Sequence, residues 1–260
     1  MYLSTGVALS MNEMPPLTWL EPGQSVPPPE HAWGPDSPAP GLLAAGTELN
    51  ARRLLQAYRQ GCFPWFSAGQ PVLWWSPDPR MVLQPVHFRV RRSLRQSIRK
   101  WQKVEDFELT FDRDFEQVMR QCASQPRHGQ QGSWIVADMI RAYTDLHALG
   151  HAHSAEVWWQ GRLVAGLYFV SLGRALFGES MFSTVTDGSK MALTMLVSAA
   201  LKHEVPLIDC QQNTRHLASL GAHEISRERF LDSLGRSQLL PDIDWPGQTL
   251  YWDEIERLLS

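Results

Sequence analysis

Three apolar runs with almost nothing between them constrain this chain most. Ala155 to Trp159, Arg162 to Leu172 and Arg174 to Phe182 are rich in β-branched and aromatic residues, and Gln160-Gly161 and Leu172-Gly173 stand at their junctions. Connections that short cannot carry a chain across a sheet, so the runs predict an antiparallel meander. Ser189 to His203 follows as a long apolar helix, and Val205 to Cys210 as a further strand. Phe107 to Phe111 alternates as another strand. Helices are expected at Leu49 to Gln60, Ser93 to Gln102, Phe115 to Cys122, Asp138 to Leu149, His216 to Leu220 and Arg227 to Leu234. Thr47 or Asn50 caps the first of these and Gly61 ends it; Asp138 caps the fourth and Gly150 ends it. The expected class is α+β: a central mixed, mostly antiparallel sheet flanked by helices.

The chain has 260 residues, enough for one large core and a small second domain. Residues 1–40 are crowded with proline (Pro15-Pro16, Pro27-Pro28-Pro29, Pro35, Pro38, Pro40) and read as an extended arm that sustains neither helix nor central strand. Asp78 between Pro77 and Pro79 marks a rigid turn. The expected division is therefore an arm at 1–40, a small domain at 41–80 and the main domain at 81–260. Cys62, Cys122 and Cys210 form no CxxC pair, which points to free thiols in a reducing compartment. No Lys or Arg precedes Arg52, so no signal-peptide charge cluster is expected. The best apolar run, Ala192 to Leu201, is too short for a membrane and contains Thr194 and Ser198. The expected location is the cytoplasm.

From Arg89 to Lys103 stand seven basic residues and no acidic one, inside a chain of net charge -3. Arg92, Arg95 and Arg99 follow helical spacing opposite the Leu94, Ile98, Trp101 stripe. Ordinary solvated faces mix signs, so this one-sign face, with Arg91 and Lys100 beside it, points to a polyanion, and RNA is the natural candidate.

Leu207-Ile208-Asp209-Cys210-Gln211 reads as a buried strand that surfaces into a carboxylate and an amide. Residues two apart share a face, so Asp209 and Gln211 should stand side by side at the mouth of a core, with Cys210 opposite them as buried filler. Around Gly178-Glu179-Ser180, the residues Trp134, Phe177, Met181 and Leu193 suggest an apolar pocket. His151 and His153 invite a metal, but no third ligand has suitable spacing, so no metal and no cofactor are expected.

The element order resembles that of a GNAT-like acyltransferase domain. Such enzymes cradle the pyrophosphate of acetyl-CoA in a Gly-rich loop before the central helix. Here that place reads Thr184-Val185-Thr186-Asp187-Gly188-Ser189-Lys190, with one glycine preceded by an acid. The stretches YRQGCFPWFS (Tyr58 to Ser67), LWWSPDPR (Leu73 to Arg80), GHAHSAEVW (Gly150 to Trp158), FGESMFS (Phe177 to Ser183), Ser189-Lys190, LIDCQ (Leu207 to Gln211) and ASLGA (Ala218 to Ala222) together resemble the leucyl/phenylalanyl-tRNA–protein transferases. The resemblance spans about residues 41–235.

The resemblance implies a small N-terminal domain, a GNAT-like catalytic domain, and transfer of Leu, Phe or, less well, Met from aminoacyl-tRNA to the N-terminal Lys or Arg of an acceptor protein. That transfer marks the acceptor for degradation. A monomer is expected. Gln211, oriented by Asp209, would then handle the attacking amine, and Glu179 would pair with the acceptor's basic side chain. Trp65, Trp134, Leu167, Phe177, Met181 and Leu193 would line the side-chain pocket; Arg91, Arg92, Arg95, Arg99 and Lys100 would hold the tRNA. The competing readings are an N-acetyltransferase using acetyl-CoA and a non-catalytic RNA-binding module.

Overall fold

The computed structural model describes residues 16–125, 135–245 and 252–259. The described residues form a mixed α/β structure with two sheets flanked by helices. The smaller sheet combines β1 (Thr18–Leu20), β2 (Leu42–Gly46), β3 (Phe63–Pro64) and β4 (Val72–Trp75) in the order β1-β2-β4-β3. Helix α1 (Ala51–Arg59) lies between β2 and β3; the Asn50 side chain accepts the Arg53 N–H at its start, and Gly61 at φ +75° lets the chain turn after it.

The larger sheet takes β5 (Arg80–Leu83), β6 (Phe107–Phe111), β7 (Ala152–Trp159), β8 (Arg162–Leu172), β9 (Ala175–Ser183), β10 (Ile208–Gln211) and β11 (His223–Ile225) in the order β11-β5-β10-β9-β8-β7-β6. β7 to β9 form the expected meander, with Gln160 and Gly161 at φ +51° and +70° between Trp159 and Arg162. β9 and β10 form the one parallel pair in this sheet among the described residues. β5 and β11 were not expected from the sequence; they are short, and β5 begins directly after Pro79.

Helices cover both faces. α2 (Arg92–Trp101), α5 (Gly188–Lys202) and α8 (Trp252–Leu259) lie on one side, where Leu94, Ile98, Leu167, Phe169, Met195 and Leu196 pack together. α3 (Phe115–Ser124), α4 (Ala137–Ala148), α1 and α7 (Arg227–Ser237) lie on the other, with the small sheet. That second core joins Leu54 and Trp74 to Phe115, Tyr143, Tyr168 and Phe177, so it runs without a break from one sheet to the other. α6 (Arg215–Ser219) is a short helix after β10. Asp138 does not cap α4. Val136 takes the cap position and Asp138 pairs with Arg141 within the first turn.

The proline-rich segment lies on the body wherever it is described. Leu20, Val26 and Ala32 are buried, and β1 pairs parallel with β2 at the sheet edge, the position proline-flanked strands tolerate. Arg227 of α7 secures this layer: its guanidinium donates to the Pro29 carbonyl at 2.9 Å and the Ser76 carbonyl at 2.8 Å.

Gly188 opens α5 against the sheet. A Cβ there would stand 2.5 Å from Ser183 Oγ and 2.7 Å from Ala165 Cβ. Gly188→Ala should therefore lose about 1–3 kcal/mol to overpacking, more than the roughly 0.4–1 kcal/mol gained from a stiffer unfolded chain. A lower urea midpoint with unchanged slope is the expected result.

Candidate active site

Two extra residues, one in each strand, build the site. On β9, Tyr168 pairs with Ser180 and Phe169 with Gly178, so Glu179 has no opposite number on β8. On β10, Asp209 pairs with Val82 and Gln211 with Met81, so Cys210 is extra against β5. An extra residue reverses the in-out alternation beyond it. β9 and β10 pair with each other only through Ile208 and Asp209, against Leu176 and Phe177. Beyond that pair the two strands lead into a cavity of 380 Å³.

Leu167, Met181, Leu193, Leu196 and Ile208 give the cavity apolar walls, and Phe63, Pro64 and Trp65 reach it from the small sheet. Glu179, Gln211 and Tyr168 bring polar atoms, and Thr214 and His216 enter from the segment after β10. Trp65, Leu167, Met181 and Leu193 are thus where the sequence put them. Phe177 is not: it lies before the β9 bulge, faces the opposite core, and packs on Tyr58 with ring centroids 4.9 Å apart. Trp134 lies outside the described residues.

Asp209 and Gln211 do not stand side by side. The bulge at Cys210 separates them, and Gln211 adopts φ +59°, a left-handed backbone. Asp209 is fully buried and is held by Arg80, whose Nε and Nη2 donate to its two oxygens at 2.8 and 2.6 Å. Its Oδ1 also accepts the backbone N–H of Gln211 at 2.9 Å. Gln211 itself lines the cavity, and its Nε2 donates to Glu179 Oε1 at 2.9 Å. The other Glu179 oxygen accepts from Tyr143, whose hydroxyl is bonded to that of Tyr58.

Glu179 is therefore held from two directions. Burial raises its pKa most; the Tyr58 and Tyr143 hydroxyls and the Arg80 charge act against the rise and the Asp209 charge adds to it, leaving it at about 8. At that value the group is largely a neutral acid at pH 7. Cys210 lines the cavity instead of acting as buried filler, but burial and the Asp209 charge push its thiol up, so it is no thiolate nucleophile.

The basic face is present as read. Arg91, Arg92, Arg99 and Lys100 are exposed and Arg95 is half-buried, while Leu94 and Ile98 face the core. None of the five forms an ion pair among the described residues. Ser97 of α2 donates to Asp187 at 2.6 Å, and Lys190 of α5 pairs with the same carboxylate. α5 carries Leu193 and Leu196 into the cavity wall, so the basic helix is tied to the helix that shapes the site.

Sequence reasoning missed Arg80, Tyr58 and Tyr143 as members of the site. A basic residue leading the apolar run Met81-Val82-Leu83 was the available signal for Arg80; the tyrosines gave none. It also paired His153 with His151, which lies outside the strand. The fold instead gathers Asp112, His147 and His153, whose ligand atoms lie within 4.8 Å of one another. His153 Nδ1 already meets Asp112 at 2.7 Å, and His147 Nδ1 meets the Ala152 carbonyl at 2.7 Å.

Among the described residues no helix is long and apolar enough to cross a membrane. The family model for leucyl/phenylalanyl-tRNA protein transferase matches residues 82–235, and the model for the N-terminal domain of the same family matches residues 47–78. Leucyl/phenylalanyl-tRNA–protein transferase of Polaromonas sp. is 54% identical over 94% of this chain and 96% of its own. That of Paraburkholderia xenovorans is 55% identical over 87% and 93%. The solved structure of L-PGS from Bacillus licheniformis aligns with a TM-score of 0.34 at 10% identity, over 68% of this chain and 57% of that one. The matched sequence is that of an acyltransferase that uses aminoacyl-tRNA. The chain belongs to the leucyl/phenylalanyl-tRNA protein transferase family.

Between pH 4.5 and about 8 the folded chain holds a proton at Glu179 that the unfolded chain has released. Stability from this group is complete below pH 4.5 and is lost as pH rises to 8. Glu179→Gln removes the titration, so the variant's melting temperature relative to wild type should rise between pH 5 and pH 8.5. Parallel melting curves across that range would show that Glu179 titrates normally.

Proposed function

We propose that this chain moves Leu or Phe, and less well Met, from aminoacyl-tRNA onto the N-terminal Lys or Arg of an acceptor protein, marking it for degradation in the cytoplasm. The chain acts as a monomer with a small domain at 41–80, a GNAT-like catalytic domain at 81–260 and the proline-rich arm at 1–40. One observation carries the reading: an apolar cavity floored by the Glu179–Gln211 pair, in a chain of this family.

The chemistry is aminolysis of an ester. The acceptor amine attacks the aminoacyl carbonyl, a C–N bond forms, the C–O bond to the ribose breaks, and the amine's proton ends on the ribose oxygen. An activated ester needs positioning more than a covalent intermediate, which fits a site whose cysteine is held as a thiol. The apolar walls of Leu167, Met181 and Leu193 take the donor's side chain; a branch at Cβ meets those walls, whereas Leu and Phe extend past them. With Nε2 of Gln211 given to Glu179, its Oε1 remains to accept an N–H of the attacking amine and aim the lone pair. Glu179 receives the acceptor's cationic side chain, and the incoming positive charge draws it to the carboxylate form. Acceptor binding near pH 7 therefore releases a proton.

The start of α5 speaks against acetyl-CoA. Its lone glycine is closely packed rather than open, and Asp187 places a carboxylate where a pyrophosphate would approach. The intact polar floor speaks against a purely RNA-binding role. The basic face of α2 supplies the phosphate contacts instead.

The test is transfer of labelled Phe from Phe-tRNA to a peptide beginning with Arg, with an Ala-initiated peptide and acetyl-CoA as controls. Formation of Phe-Arg-peptide alone is expected; equal use of the Ala peptide removes Glu179 from acceptor selection. Replacing Arg92, Arg95 and Arg99 together by Ala should weaken tRNA binding and flatten its salt dependence, by about 0.7–0.9 in log–log slope for each phosphate no longer neutralised. A minimal aminoacyl-adenosine donor should react nearly as before. Equal loss with both donors would make the helix structural.

A further inference from the structure

The buried pair behind the site does more than fill space. Arg80 and Asp209 are both at 0% exposure. The guanidinium lies between two rings, 4.9 Å from the centre of Phe63 in β3 and 4.4 Å from that of Phe230 in α7. Its Nη1 is buried without a hydrogen-bond partner among the described residues, so the arrangement carries an unrecovered desolvation cost. Apolar residues of similar volume often hold a core as well as such an ion pair does. A bidentate pair kept under those terms needs a reason beyond packing.

The hydrogen bonds supply one. Asp209 Oδ1 accepts from Arg80 Nε and also from the backbone N–H of Gln211, at 2.8 and 2.9 Å. That N–H belongs to the residue at φ +59°, directly after the extra residue Cys210. A non-glycine residue keeps a left-handed backbone only where its surroundings fix it. Without the carboxylate oxygen, Gln211 is free to return to extended geometry, and alternation would then turn its side chain away from Glu179.

We infer that Arg80 is a positioning residue for the transfer reaction: through Asp209 it locks the Gln211 backbone in the bulged form that aims the Gln211 carboxamide into the cavity. Asp209 accordingly acts on the main chain of Gln211, one step removed from the reactants. The device links three parts of the fold. Phe63 belongs to the small sheet, Phe230 to α7 and Arg80 to the first strand of the large sheet, so the angle of Gln211 depends on how these three pack. This inference rests on the proposed aminoacyl transfer and names a further residue for it.

The experiment replaces the pair by apolar residues. Arg80→Met alone leaves Asp209 buried and uncompensated and should lower the urea midpoint sharply; Arg80→Met with Asp209→Leu should recover most of it. Single-turnover transfer from saturating Phe-tRNA to an Arg peptide should nevertheless fall about 100-fold in the double variant, the scale of a displacement near 1 Å. The KM values for donor and acceptor should stay within about twofold. In a Gln211→Ala background the same double change should cost less than about threefold, because what it positions is gone. Three results overturn the inference: a double variant with wild-type rate, a full 100-fold loss repeated in the Gln211→Ala background, or a Gln211→Ala chain as fast as wild type. A wild-type chain that transfers nothing overturns the proposed function and this inference with it, and so is distinguished from the other three.

Discussion

The structure depends on β9 and β10 pairing through a single step and no further. Up to Phe177 and Asp209 the sheet is continuous; beyond them each strand has one residue without a partner. The local gap in hydrogen bonding is what opens a cavity in an otherwise closed sheet. It also reverses alternation, so Glu179 and Gln211 bring polar atoms to a cavity walled by Leu167, Met181 and Leu193. A site made this way stands on strands rather than on loops, and its precision comes from the sheet's own ladder. The cost is a left-handed glutamine and an ion pair in the core.

The fold was legible wherever periodicity was long. The β7–β8–β9 meander and α5 follow from long runs whose junctions or faces admit one reading. β5 and β11 were not legible, because segments of four and three residues carry no period of their own and gain their place by pairing with β10 and with each other. Asp138 shows the limit of local cap chemistry: the helix began one residue earlier than the polar residue best suited to begin it.

The site was legible in composition but not in phase. Trp65, Leu167, Met181, Leu193, Glu179 and Gln211 were correctly drawn to one place, since each sits in or at the end of an apolar run. Phe177 and Cys210 were put on the wrong side, and Asp209 was placed beside Gln211, for one shared reason: period-two alternation was carried through positions where a strand has an extra residue. Gly178, directly before Glu179, was the one mark of the β9 bulge; Cys210 gives none. Arg80 escaped because its partner lies 129 residues away.

Arg227 carries a consequence of a different kind, one of timing. The carbonyl of Pro29 that it holds is separated from it by 198 residues. On a ribosome adding about 5–20 residues per second, the Pro29 carbonyl therefore waits about 10–40 s for Arg227, whereas Thr18–Leu20 and Ser25 meet β2 and α1 within a few tens of residues. The layer is thus secured in two stages, first by β2 and α1 close by in the chain and last by α7, whose completion closes it.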